Sequence, residues 1–149
     1  MRSLCIAGIT LLWCGSLAAQ QAIDGDTIRI GDATYRIHGI DAAELRQACA
    51  DGWPAGAAAK GFMSELMRGK TVVCEGKTRD RFGRVVAVCR ADGLDLGADM
   101  VSAGMAWAFA KYSGDYAPNE VIARASGLGV HGHDCERAWV YRSRQRARQ

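Results

Sequence analysis

The chain has 149 residues, of which 49% are hydrophobic and 23% charged, and a formal net charge of +3. That length supports one domain with a real core, and the composition excludes a disordered chain. The mild positive charge gives no argument by itself for a nucleic-acid partner.

Residues 1–18 read as a secretory signal peptide. Arg2 supplies a positive start, Leu4 to Trp13 is a short apolar run, and Ser16-Leu17-Ala18 offers a cleavage site before Ala19. The run falls short of the roughly 20 residues of a confident membrane span, so an uncleaved signal would leave a tether at most. The bulky Trp13 before Cys14 argues against a lipoprotein site. The expected location is secreted or periplasmic. Residues 19–149 then form one domain with a basic C-terminal tail. In that domain Cys49, Cys74, Cys89 and Cys135 are an even set in an oxidising compartment. Cys74 and Cys89 flank a hairpin and can face each other across it, which leaves Cys49 with Cys135.

Ile23, Ile28 and Ile30 alternate with polar residues, and Gly31-Asp32 is a two-residue turn with glycine first. Tyr35, Ile37 and Ile40 continue on the returning strand, so the hairpin pairs Ile28 with Tyr35 and Asp26 with Ile37. Glu44 to Gly52 is a polar loop. Pro54 opens a helix whose Ala58, Ala59, Phe62, Met63, Leu66 and Met67 recur at helical spacing until Gly69. Thr71 to Glu75 and Val85 to Arg90 are paired strands around Asp80-Arg81-Phe82-Gly83. Leu96, Met100 and Ala103 form a short helix ending at Gly104, Met105 to Ala110 a last strand, and Pro118 to Ser126 a third helix. Arg137, Arg142, Arg144, Arg146 and Arg148 crowd the C-terminus as a solvated tail, or as a weak contact with nucleic acid or membrane. Hairpins with helices between them suggest a small mixed barrel.

The most informative stretch runs from Asp24 to Glu44. Asp24, Asp26, Asp41 and Glu44 repel one another unless a cation sits among them, and Arg36 beside them suits an anion such as phosphate. Strand parity puts Asp26 and Asp41 on one face if the strand stays regular to Asp41. The same parity sends Arg36 to the other face, so its convergence on the carboxylates requires a bend. His131-Gly132-His133-Asp134-Cys135 imitates a metal cluster but has no C-x-x-C beside it, which argues against zinc.

Three motifs in order then resemble the staphylococcal-nuclease-like, or thermonuclease, family over roughly Ala22 to Gly129. They are D-G-D-T at Asp24 to Thr27, R-x-x-G-I-D-x-x-E from Arg36 to Glu44, and D-R-F-G-R at Asp80 to Arg84. Leu96 to Ala106 resembles that family's helix leading into its last strand. The resemblance implies a five-stranded OB-fold barrel with three α-helices, hence an α+β chain. It also implies a calcium-dependent, secreted nuclease that hydrolyses DNA and RNA with little sequence preference and leaves 3′-phosphates.

By that resemblance Asp26 and Asp41 are calcium ligands, and Ala42 offers a backbone carbonyl. Glu44 lies beside the attacking water, Arg36 and Arg84 bind phosphate, and Asp24 supports the metal site. Phe82 and Tyr112 contact the substrate. Ala42-Ala43 replaces the family's usual Thr-Pro, and Phe82 its commoner tyrosine. Single-stranded DNA and RNA are the expected partners, with no protein partner, and the expected state is a monomer. A non-catalytic OB-type module for single strands is the competing reading. It needs basic and aromatic surface but not the Asp26, Arg36, Asp41, Glu44 and Arg84 set. A structural calcium-binding domain would leave Arg36 and Arg84 unexplained.

Overall fold

The computed structural model describes residues 19–148, so the signal segment proposed for 1–18 lies outside the described residues. Four short strands come first: β1 (Gln20–Ala22), β2 (Thr27–Ile30), β3 (Ala33–Ile37) and β4 (Ile40–Ala42). Helix α1 (Ala55–Met67) follows, then the long hairpin of β5 (Val72–Arg79) and β6 (Val85–Ala91), and the two-residue β7 (Leu94–Asp95). Helix α2 (Leu96–Ser102), β8 (Ala106–Ala108), α3 (Ala117–Ala125), a 3-10 turn at Gly129–His131 and α4 (Ala138–Arg146) complete the chain.

The main sheet has the order β1-β2-β3-β6-β5, with β7 added to β6. The β3–β6 pair is parallel and its other pairs are antiparallel. Ile28 faces Tyr35 across the first hairpin, as the alternation predicts. β4 leaves this sheet and pairs with β8 instead, Asp41 opposite Trp107. The cause is local. The strand does not stay regular beyond Ile37, because His38 and Gly39 make a turn and Gly39 takes a φ of +75°, which a residue with a side chain adopts only at a cost. The result is a mixed α+β, OB-like arrangement whose barrel is not closed.

The core follows the expected periodicities. Ala59, Met63 and Met67, four residues apart, form the buried stripe of α1, and they join Ile28, Ile37, Ile40, Leu96 and Met100. Each large side chain buried this way contributes about 1.5–3 kcal/mol. Asp95 caps α2 by accepting from the Gly97 and Ala98 amides, and it also accepts from the Tyr116 hydroxyl. A second, smaller cluster gathers Ala43, Cys49, Ala55, Trp107, Val130 and Ala138 under the C-terminal segment.

Both expected cysteine pairs are bonded. Cys74 and Cys89 are direct cross-strand partners, Cα atoms 4.0 Å apart, and Cys49 and Cys135 are 4.3 Å apart. The C-terminus corrects the sequence reading. Three helices are expected in the chain and only a basic tail at its end, yet residues 138–146 form a fourth helix, anchored by buried Ala138 and by the disulfide just before it. No helix among the described residues is long and apolar enough to cross a membrane.

Candidate active site

Asp26 ends a tight bend between β1 and β2. Its amide donates to Asp24 Oδ1 at 2.9 Å, so Asp24 fixes the bend rather than facing outward. Burial, and then the neighbouring Asp26 charge, push the Asp24 carboxyl up to about 6. Asp26 Oδ1 accepts from the Thr27 hydroxyl at 3.2 Å, and Oδ2 from the Ala42 amide at 2.8 Å. The second bond ties the bend to β4, which carries Asp41.

Asp41 has no exposed surface. Arg36 Nη2 lies 3.0 Å from Asp41 Oδ1 and 3.0 Å from Asp26 Oδ2, so one cationic nitrogen serves both carboxylates. The Gly39 turn supplies the bend that strand parity lacked. It redirects the chain between Arg36 and Asp41, and the guanidinium curls back to donate to the Ile37 carbonyl. Burial pushes the Asp41 carboxyl upward, against the pull of the guanidiniums around it.

Arg84 arrives from the second hairpin. Its position follows from the parallel β3–β6 pairing, which sets Val85 opposite Tyr35 and Val86 opposite Arg36. Its Nε donates to Asp80 Oδ2 at 2.7 Å, and its Nη1 lies 3.4 Å from Thr27 Oγ1, beside Asp26. Asp80 also accepts from the Phe82 and Arg84 amides, so one carboxylate shapes the turn and aims the arginine. Slight burial opposes these bonds, but together they hold the Asp80 carboxyl below its usual range. Phe82 is 70% exposed, with the Arg81 and Arg84 guanidiniums 4.8 and 5.5 Å from its ring centre. Tyr112 is also exposed and meets Phe109 edge-on. Both rings are open to solvent.

Glu44 follows β4 in the loop toward α1. Its amide donates to Gln47 Oε1, and Gln47, itself buried, donates to the Glu136 carbonyl. The start of α1 packs so closely on this loop that a Cβ at Gly56 would fall on the Glu44 carbonyl. Gly56→Ala is therefore expected to destabilise the protein by about 1–3 kcal/mol, as overpacking does, and to shift Glu44. A urea melt of the variant, alongside its activity, checks both effects.

Sequence reasoning missed one residue here. Arg142, on α4, donates from Nη1 to Glu44 Oε1 at 2.8 Å and from Nη2 to Asp41 Oδ1 and Oδ2 at 3.0 and 2.8 Å. Partial burial works against its charge, but the Asp41 and Glu44 bonds prevail and hold the guanidinium protonated more firmly than usual. Of the other tail arginines, Arg137 pairs with Glu120 and Arg144 with Glu136. The only signal for these pairings lay in a helix that the Arg-rich segment did not announce.

Asp26 and Asp41 present hard oxygens toward one point where a cationic group already sits, so the pair suits a divalent ion chemically. Among the described residues no group of three or more His, Cys, Asp or Glu side chains is placed to hold a metal ion. An ion held here would draw on these two carboxylates and fill the rest of its shell with water, which calcium accepts. His133 is engaged elsewhere, 2.7 Å from Asp51 and stacked on Trp53.

The family model described as staphylococcal nuclease homologue matches residues 34–127. Two curated proteins named uncharacterized endonuclease, from Escherichia coli and Escherichia coli O157:H7, are each 32% identical over 134 residues. Each alignment covers 84% of this chain and 83% of the relative. A third of that name, from Haemophilus influenzae, is 33% identical over 114 residues, 72% of this chain and 61% of its own. The matched family region contains Arg36, Asp41, Glu44 and Arg84 and ends before α4.

Proposed function

The chain belongs to the staphylococcal nuclease homologue family, and from that premise we propose that it is an exported, calcium-dependent nuclease acting on DNA and RNA with little sequence preference. The observation that carries this reading is the convergence of two carboxylates on one guanidinium, with a second guanidinium reaching the same bend through Thr27. A binding module has no use for such an arrangement. In this reading residues 1–18 are removed on export and 19–149 form the working domain. Two disulfides fit an extracellular or periplasmic setting.

Asp26, Asp41 and the Ala42 carbonyl would hold the ion. Bound calcium would polarise a phosphoryl oxygen. Glu44 orients a water and accepts its proton. Arg36 and Arg84 hold the phosphate and stabilise the charge that grows on it in the transition state, and departure of the 5′ oxygen leaves a 3′-phosphate. Asp24 keeps Asp26 in place by holding its amide. Phe82 and Tyr112 offer exposed rings on which bases stack.

Digestion of single-stranded DNA tests the reading with calcium, with EGTA, and with Glu44→Gln. Calcium should support cutting, EGTA should abolish it, and the variant should lose about 10²–10⁴ in rate. Retardation of DNA without cutting would favour the binding module. Equal digestion in all three arms would sink the mechanism.

A further inference from the structure

We propose that Arg142 is a third active-site arginine, which neutralises Asp41 and Glu44 until a divalent ion enters and then turns to the substrate phosphate. The inference rests on the function proposed above and extends it to a residue outside the matched family region.

The geometry carries the argument. Asp26, Asp41 and Glu44 are three carboxylates in contact with two guanidiniums, Arg36 and Arg142. Asp41 is the shared partner: Oδ1 accepts from both arginines and Oδ2 from Arg142. A divalent ion on Asp41 would face the guanidinium now held against both of its oxygens. Two cations at that distance repel strongly, so ion entry and the present Arg142 contact compete. Arg142 has somewhere to go. Its side chain is 30% exposed, and the fork that grips carboxylates grips phosphates equally well. Its helix stays in place meanwhile. Ala138 is buried in the second core, Cys135 is bonded to Cys49, and Gln47 joins the Glu44 amide to the Glu136 carbonyl. Swinging the side chain therefore requires no movement of the fold.

The test is calorimetric titration of the substrate-free protein with calcium, then of the calcium-loaded protein with a nucleoside monophosphate. R142A should bind calcium more tightly and the monophosphate more weakly, each by an order of magnitude or so, the worth of one charge-assisted contact. R142K, which keeps a charge but loses the fork, should shift both in the same directions by less, and it decides the matter if R142A folds poorly. R144A, on the same helix but paired with Glu136, should change neither. Calcium affinity that is equal or weaker in R142A and R142K would overturn the competition, and unchanged monophosphate affinity would overturn the transfer to phosphate. A wild-type protein that binds no calcium would remove the proposed function, and this inference with it.

Discussion

Arg84→Ala is expected to lower nuclease turnover by about two to three orders of magnitude while leaving calcium affinity unchanged. Removing one donor aimed at developing charge costs on that scale. The separation of the two readouts follows from what Arg84 touches. It pairs with Asp80 and approaches Thr27, and among the described residues it makes no hydrogen bond or ion pair with Asp26, Asp41 or Glu44. Its deletion therefore leaves the Asp26 and Asp41 carboxylates as they are. Stability should also hold, since the Asp80 pair is partly exposed and such pairs contribute about 0–1 kcal/mol. Arg36→Ala is the instructive contrast. It removes a proposed phosphate donor and also strips Asp26 and Asp41 of the cation they share, so turnover, ion affinity and stability should all move. Steady-state rates with parallel calcium titrations separate the two. Turnover near wild type in Arg84→Ala would remove that arginine from the mechanism. Arg84→Lys should recover little, because a point charge does not reproduce a fork held by Asp80.

Much of this is legible in the amino-acid sequence itself. The Ile28–Tyr35 register, the α1 stripe and the cross-strand Cys74–Cys89 pair all follow from short-range patterns, and the fold keeps them. Periodicity and turn chemistry act over a few residues, so a sequence displays them directly. The approach of Arg36 to Asp26 and Asp41 was legible only as a demand for a bend. Its solution lies in one glycine turn that moves β4 from its expected neighbour to β8.

Arg142 was not legible at all. Its meeting with Glu44 spans 98 positions and depends on a helix with three arginines in its second half and one buried residue, Ala138. Such a helix is stable only because tertiary contacts hold it. The buried Ala138, the disulfide and the Gln47 bridge supply them, and none leaves a periodic trace. The same gap hid the open barrel, since strand exchange between sheets is a long-range outcome of a local kink.

Loss of the long disulfide should be the largest single blow to stability. Cys49→Ala/Cys135→Ala opens a loop with a sequence separation of 86, against 15 for Cys74–Cys89. In the chain-entropy account the first bridge is worth about 4.5 kcal/mol and the second about 3 kcal/mol. A domain of this size has only about 5–15 kcal/mol of net stability, so losing the first leaves it marginal. Alanine is the right replacement, because a serine hydroxyl at buried Cys49 would add its own desolvation cost. The Cys74–Cys89 hairpin has a second line of defence in its strand ladder, whereas the Cys49–Cys135 bridge joins two segments outside any sheet. The long bridge also ties the Glu44 loop to the segment that delivers Arg142, so its loss should free both ends of that contact. Urea denaturation of the two double variants, with the reduced wild type as reference, gives the ranking. A smaller loss for the Cys49–Cys135 pair than for Cys74–Cys89 would show that the C-terminal segment is held by packing alone.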